Sequence, residues 1–322
     1  FGTSPLLTSS IYFSLVLVFA LNRSKILNVI GKYLTPFIVI MLLMVIGIGV
    51  FSSQMITNAP QFKAPIVKGI LEGYQTFDAI GAVVVGAVII ISINLKIKAS
   101  FEAKKELIKK SGLIAGFGLF IIYAGLIAIG AFYSSEIDVN SALSNDMQRA
   151  NLLSAISTKA LGTFGNSVLS TLIALACFTT AVGIVTGTAD YFKGLINNSQ
   201  TVYIITAIIA CVFGVVVGQL DFNTIVVIAL PALMFIYPIT IVLILLNSLP
   251  EKYASKLLFR TVVLVTFIFS TPDFLKFLIP PETIQPIIDF IPLASHNLAW
   301  VLPALITFLL VNGYGFSYVV LS

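Results

Sequence analysis

The sequence predicts an all-α polytopic membrane protein of about nine transmembrane helices. Three observations carry that prediction: a composition that water does not favour, apolar runs long enough to cross a bilayer, and a basic charge that alternates between successive loops. Hydrophobic residues make up 58% of the 322 and charged residues only 10%, against about 25% charged in an ordinary soluble domain. A closed β-barrel would instead show alternating segments of about ten residues, whereas these apolar runs are continuous.

Taken in order, the first run, Leu6 to Leu21, is short. Leu34 to Phe51 follows it after a stretch holding Arg23, Lys25 and Lys32. The third, Ile66 to Asn94, is long but interrupted by polar and glycine positions, and the fourth, Leu113 to Tyr133, follows the lysine-rich segment Lys96 to Lys110. Phe164 to Thr188, Val202 to Gly218 and Ile225 to Leu246 are each apolar over about the length a crossing needs. The eighth, Leu257 to Thr271, is short and gains length by tilting or by continuing past Pro272; Leu298 to Leu321 is the ninth.

All 18 basic residues lie in loops or at span ends. One set of alternate loops carries Arg23, Lys25, Lys32, Lys96, Lys98, Lys104, Lys105, Lys109, Lys110, Lys193, Lys252, Lys256 and Arg260. The other carries Lys63, Lys68, Arg149, Lys159 and Lys276. The bias assigns the first set to the cytoplasm, and a missed span would have erased it. The N-terminus then lies outside. The chain opens on Phe1 without a basic n-region or cleavage site, so an odd number of upstream helices, about three, is expected before it. Residues 134–163 and 272–297 are expected as external loops of one transmembrane domain. Pro280, Pro281, Pro286 and Pro292 keep the second from being one helix.

Several function classes fall away. Cys177 and Cys211 lie in apolar runs without a Cys or His at ligand spacing, which suggests packing rather than zinc or a disulfide framework. The net charge of +5 belongs to the loops and does not imply nucleic acid. An enzyme would need paired carboxylates, a metal cluster or a nucleophile with its base, and one intramembrane Asp with one loop histidine, His296, supplies none of these. A channel or assembly subunit stays open, since nothing in a single sequence excludes a symmetric pore.

Two segments carry candidate chemistry. A mid-membrane carboxylate costs at least about 2.5–3.5 kcal/mol, and Asp78 is the clear case, within Gly73-Tyr74-Gln75-Thr76-Phe77-Asp78-Ala79-Ile80-Gly81. Polar and glycine residues there suggest a broken helix that exposes backbone groups to a substrate or cation. The alternative is that Gly73, Gly81 and Gly86 admit close helix packing and Asp78 bonds a neighbour. In Cys177-Phe178-Thr179-Thr180-Ala181-Val182-Gly183, adjacent threonines either bend the helix and bond back to it, pack against a neighbour, or present oxygens to a hard cation. Asp190 and Glu72 read as hydrated residues at span ends.

The chain resembles the bacterial branched-chain amino acid:cation symporters (BrnQ-like). The resemblance lies in Ile30-Gly31-Lys32-Tyr33-Leu34-Thr35-Pro36, Gly73-Tyr74-Gln75-Thr76-Phe77-Asp78, Thr179-Thr180-Ala181-Val182-Gly183, and Leu220-Asp221-Phe222 leading to Pro231 and Tyr237-Pro238. It covers nearly the whole chain. It implies a leucine-transporter-type inverted-repeat fold of the APC superfamily, with this chain as helices four to twelve of about twelve. It implies substrate at Gly73, Tyr74, Gln75, Thr76 and Asp78, on the fold's unwound sixth helix. It also implies Na+ at Thr179, Thr180 and the Ala176 carbonyl, with further carbonyls from the fold's first helix. The expected activity is alternating-access symport of leucine, isoleucine and valine into a bacterial cell, in contact with membrane lipid and without a cofactor. A proton taken by Asp78 is the alternative coupling ion, and oligomeric state is left open.

Overall fold

The computed structural model describes residues 4–22, 30–52, 64–133, 154–155, 158, 162–250 and 255–320. The expected loop 134–163 lies almost wholly outside them, as do Arg23, Lys25, Lys63, Arg149, Lys159 and Lys252. The described residues are helical, without a strand. Their helices are α1 (Pro5–Leu21), α2 (Thr35–Ser52, entered through a π-helical turn, Ile30–Leu34), α3 (Pro65–Tyr74), α4 (Asp78–Lys96) and α5 (Phe101–Tyr133). Then come α6 (Thr163–Leu195), α7 (Gln200–Val217), α8 (Phe222–Asn247), α9 (Lys256–Leu275), α10 (Pro281–Phe290) and α11 (Val301–Val320).

Among the described residues, seven helical stretches are long and apolar enough to cross a membrane, and the shorter apolar helices Pro5–Leu21 and Val301–Gly313 fall on the first and ninth predicted spans. Starts follow local chemistry. Ser4 caps α1 ahead of Pro5, accepting from the Leu7 N–H at 3.3 Å. Asp221 caps α8 through the Thr224 N–H at 3.0 Å and hydroxyl at 2.6 Å, and Ser255 caps α9 through Leu258 N–H at 3.1 Å. Each satisfies a backbone donor that the first turn leaves without a partner.

Hydropathy misjudged the ends of α5 and α6, while α9 takes the expected course past Pro272. α5 begins at Phe101, not Leu113, so Lys104 to Lys110 are helical rather than in a loop. Their side chains are good helix formers, and Glu106 pairs with Lys110 at 2.7 Å. α6 continues to Leu195, and Asp190, read as hydrated, is buried. α9 runs through Pro272 to Leu275, and residues 276–300 hold α10 and a single 3-10 turn, Ala294–His296.

The chain divides into two compact units. The first is Phe1–Lys63 with Val84–Val216, the second Ala64–Val83 with Val217–Ser322. In the first, Val16 and Ala20 of α1 pack with Val182, Val185 and Ala189 of α6 and with Tyr203, Ala207 and Cys211 of α7. The Tyr203 hydroxyl donates to the Ala20 carbonyl at 2.7 Å, so the buried phenol is satisfied. In the second, Val242 and Leu246 of α8, Leu258 and Val262 of α9, and Trp300 and Ala304 form the core, with Tyr74 against it.

Candidate functional site

In the second unit the predicted helix break is present. α3 ends at Tyr74, α4 starts at Asp78, and Gln75 to Phe77 lie between. The end of α3 is tied off locally: the Gln75 N–H donates to Leu71 O at 3.1 Å, and the Thr76 hydroxyl to Gly73 O at 2.8 Å. Phe77 has φ 54°, the left-handed region, which a bulky L-residue adopts only when its surroundings impose it. Those surroundings are aromatic. The Phe77 and Tyr74 rings meet Tyr237 edge-on at 5.1 and 5.0 Å, and the Trp300 indole N–H donates to the Tyr74 hydroxyl at 3.2 Å.

The break faces its surroundings with two helix ends. The C-terminal carbonyls of α3 carry partial negative charge and the N-terminal N–H groups of α4 partial positive charge. Asp78 stands in the first turn of α4, where the helix dipole favours an acidic residue. Gly73, Gln75, Thr76 and Asp78 are exposed and Tyr74 is half-buried. Among the described residues of the unit, a Cβ on Gly73 or Gly81 would meet no atom within 4 Å.

In the first unit, the hydroxyls of Thr179 and Thr180 both donate to the Ala176 carbonyl, each at 2.9 Å. The three predicted oxygens therefore form one hydrogen-bonded set on α6. Each hydroxyl spends its proton on that carbonyl and keeps lone pairs for another partner. Thr179 is half-buried, Thr180 exposed, and Val182, one turn on, is core. Gly183 and Gly187, further along α6, do serve close approach: a Cβ would stand 3.3 Å from the Val85 side chain and 2.8 Å from that of Val84. Cys177 is exposed and Cys211 is core, so the packing expectation holds for the second alone.

Sequence reasoning missed a third group. Lys276, Asp273 and Asn297, assigned to an external loop, form a cluster beside the Trp300 segment. Its one visible signal is the spacing of Asp273 and Lys276, three residues apart, which on a helix brings the two side chains together. His296 is exposed.

Residues 2–314 match the family model described as branched-chain amino acid transport protein. Among curated relatives, the branched-chain amino acid transport system 2 carrier protein of Pseudomonas aeruginosa is 30% identical over 315 residues, 96% of this chain and 70% of that protein. The branched-chain amino acid permease BraB of Bacillus subtilis is 30% identical over 312 residues, covering 94% and 68%. The permease BrnQ of Haemophilus influenzae is 30% identical over 307 residues, covering 92% and 68%. No solved structure matches the chain. These relatives are transport proteins rather than enzymes. With its set of spanning helices and its broken third span, this multi-pass protein of the bacterial cell membrane belongs to the family of branched-chain amino acid transport proteins.

Proposed function

We propose that the protein imports leucine, isoleucine and valine together with Na+ by alternating access, on a leucine-transporter-type inverted-repeat fold. The observation that carries the reading is the break at Gln75 to Phe77, with Phe77 in the left-handed region. A zwitterion suits such a break. Its ammonium is attracted to the carbonyl end of α3 and to Asp78, and its carboxylate to the N–H end of α4. Gly73, Tyr74, Gln75, Thr76 and Asp78 form the substrate's polar contacts, and the rings of Tyr74, Phe77 and Tyr237 offer an apolar wall to its side chain. Such a wall separates side chains differing by one methylene by only about 1–3 kcal/mol, so the three amino acids are shared substrates.

The coupling Na+ is assigned to the hydroxyls of Thr179 and Thr180 and the carbonyl of Ala176. A hard cation takes oxygen ligands, and this set gathers three within one turn of α6. Binding through all three requires both hydroxyl protons to rotate off the carbonyl, which the cation's charge favours. The test is uptake of labelled leucine into vesicles carrying the protein, with Na+ replaced by K+ at fixed pH. Uptake is expected to collapse on replacement, and Thr180→Ala to lose the Na+ dependence. Unchanged Na+ dependence in Thr180→Ala refutes the site. Na+-independent uptake abolished by Asp78→Asn favours the second reading, a proton carried by Asp78 at the start of α4.

A further inference from the structure

The turn leading into α11 is fastened by an ammonium group of the chain itself. Lys276 Nζ donates to Asp273 Oδ1 at 2.9 Å, to the Ala294 carbonyl at 2.6 Å and to Asn297 Oδ1 at 2.7 Å. An ammonium has three protons, and all three are used. The acceptors come from the last turn of α9 and from the 3-10 turn with the residue that follows it. Asp273 is 1% exposed and Ala294 0%.

The segment so fastened does not hold itself. Leu293 and Asn297, on either side of the 3-10 turn, both take left-handed backbone, with φ 65° and 58°. A leucine pays for that conformation and needs external contacts to keep it. Three residues beyond Asn297 comes Trp300, 7% exposed, whose indole N–H reaches Tyr74, the last residue of α3 before the break. The backbone of Ala299 also acts on the Asp273 carboxylate, and that carboxylate in turn on the Tyr74 phenol. A buried ion pair kept for stability alone is often matched by an apolar pair of similar volume. Here the lysine reaches two further acceptors on the very turn that delivers Trp300.

We propose that Lys276 is a positioning residue for the substrate-binding break: its ammonium clamps residues 294–297 onto α9, and the clamp fixes Trp300 and through it Tyr74. This rests on the reading that Tyr74 to Asp78 meets substrate. Arginine does not replace the lysine, since a planar guanidinium does not present three donors in a tetrahedral arrangement. A small primary ammonium ion does.

The experiment measures leucine uptake and Trp300 emission for the full-length protein in proteoliposomes, isolating the emission by difference against matching Trp300→Phe proteins. K276A and K276R are expected to raise the leucine KM about tenfold with little change in maximal rate, as for the loss of one binding contact. Trp300 emission should move to longer wavelength. Ethylammonium should reverse both changes in K276A and neither in K276R. The double variant D273L/K276M leaves no unpaired charge, keeps the fold testable, and is expected to show the same two changes without rescue. Emission and KM both unchanged in the double variant overturn the clamp. Emission shifted with KM unchanged shows the clamp intact and overturns the substrate reading of the break, and the positioning role falls with it.

Discussion

The Tyr74 side chain ties the end of α3 to the residue that precedes α11. Tyr74 is the last residue of α3, and its hydroxyl accepts the indole N–H of Trp300 at 3.2 Å. Trp300 is 7% exposed, so removing the acceptor leaves a buried donor without a partner. Tyr74→Phe is therefore expected to destabilise the protein by about 1–3 kcal/mol, the desolvation cost of an unpaired buried group. Trp300→Phe in the same background should recover part of that loss, because the donor is then gone as well. Thermal unfolding of the two single variants and the double variant in detergent checks this, and strict additivity would show that the contact carries no energy. The threonines follow a different residue-scale logic. Thr179 and Thr180 donate to a single carbonyl, so Thr180→Ser, which keeps an oxygen there, should retain Na+-dependent uptake where Thr180→Val loses it. Uptake with Na+ replaced by K+ distinguishes them, and equal Na+ dependence in both variants would remove the hydroxyl from the cation site.

Among the elements, α6 shows which glycines carry packing. A Cβ on Gly187 would stand 2.8 Å from the Val84 side chain and 3.3 Å from its carbonyl, whereas a Cβ on Gly194 would meet nothing within 4 Å. Gly187→Ala is expected to cost about 1–3 kcal/mol by overpacking, and Gly194→Ala to be neutral or stabilising by up to about 1 kcal/mol. Melting temperatures of the purified variants check the contrast, and equal effects would mean that α6 does not rely on this contact. The break between α3 and α4 was legible because glycine, polar side chains and a charge interrupt an apolar run, and each disfavours an undisturbed membrane helix. The left-handed Phe77 was not legible, because the ring it meets, Tyr237, is brought to it by the fold rather than by the sequence. The Lys276 cluster was hidden similarly: its acceptors at 294 and 297 lie beyond α10, and the prolines around that helix read as a loop. Ends of α5 and α6 were misjudged because hydropathy marks where lipid begins, while helix propensity continues into charged residues.

On the scale of the whole molecule, the basic residues predict an orientation for the chain, and helix length gives that prediction a physical measure. α5 has 33 residues, about 50 Å at 1.5 Å per residue, against a hydrocarbon core of about 30 Å. Its surplus turns include Lys104, Lys105, Lys109 and Lys110, whose charges favour water and the cytoplasmic face. The charge bias predicts the same side for the basic start of α9, with Lys256 and Arg260. α10 follows the far end of α9, so the charge bias predicts it on the opposite side of the membrane. Single cysteines at Lys105 and Glu282, both exposed positions, test this in a protein whose Cys177 and Cys211 are alanine. A membrane-impermeant maleimide added to intact cells should label Glu282→Cys and spare Lys105→Cys, which becomes reactive only once the cells are opened. Labelling of both from outside would break the alternation between α5 and α10, removing the basis for the nine-span arrangement. Labelling of Lys105→Cys alone would keep the crossings and invert the protein, putting the lysine-rich end of α5 outside and contradicting the charge bias.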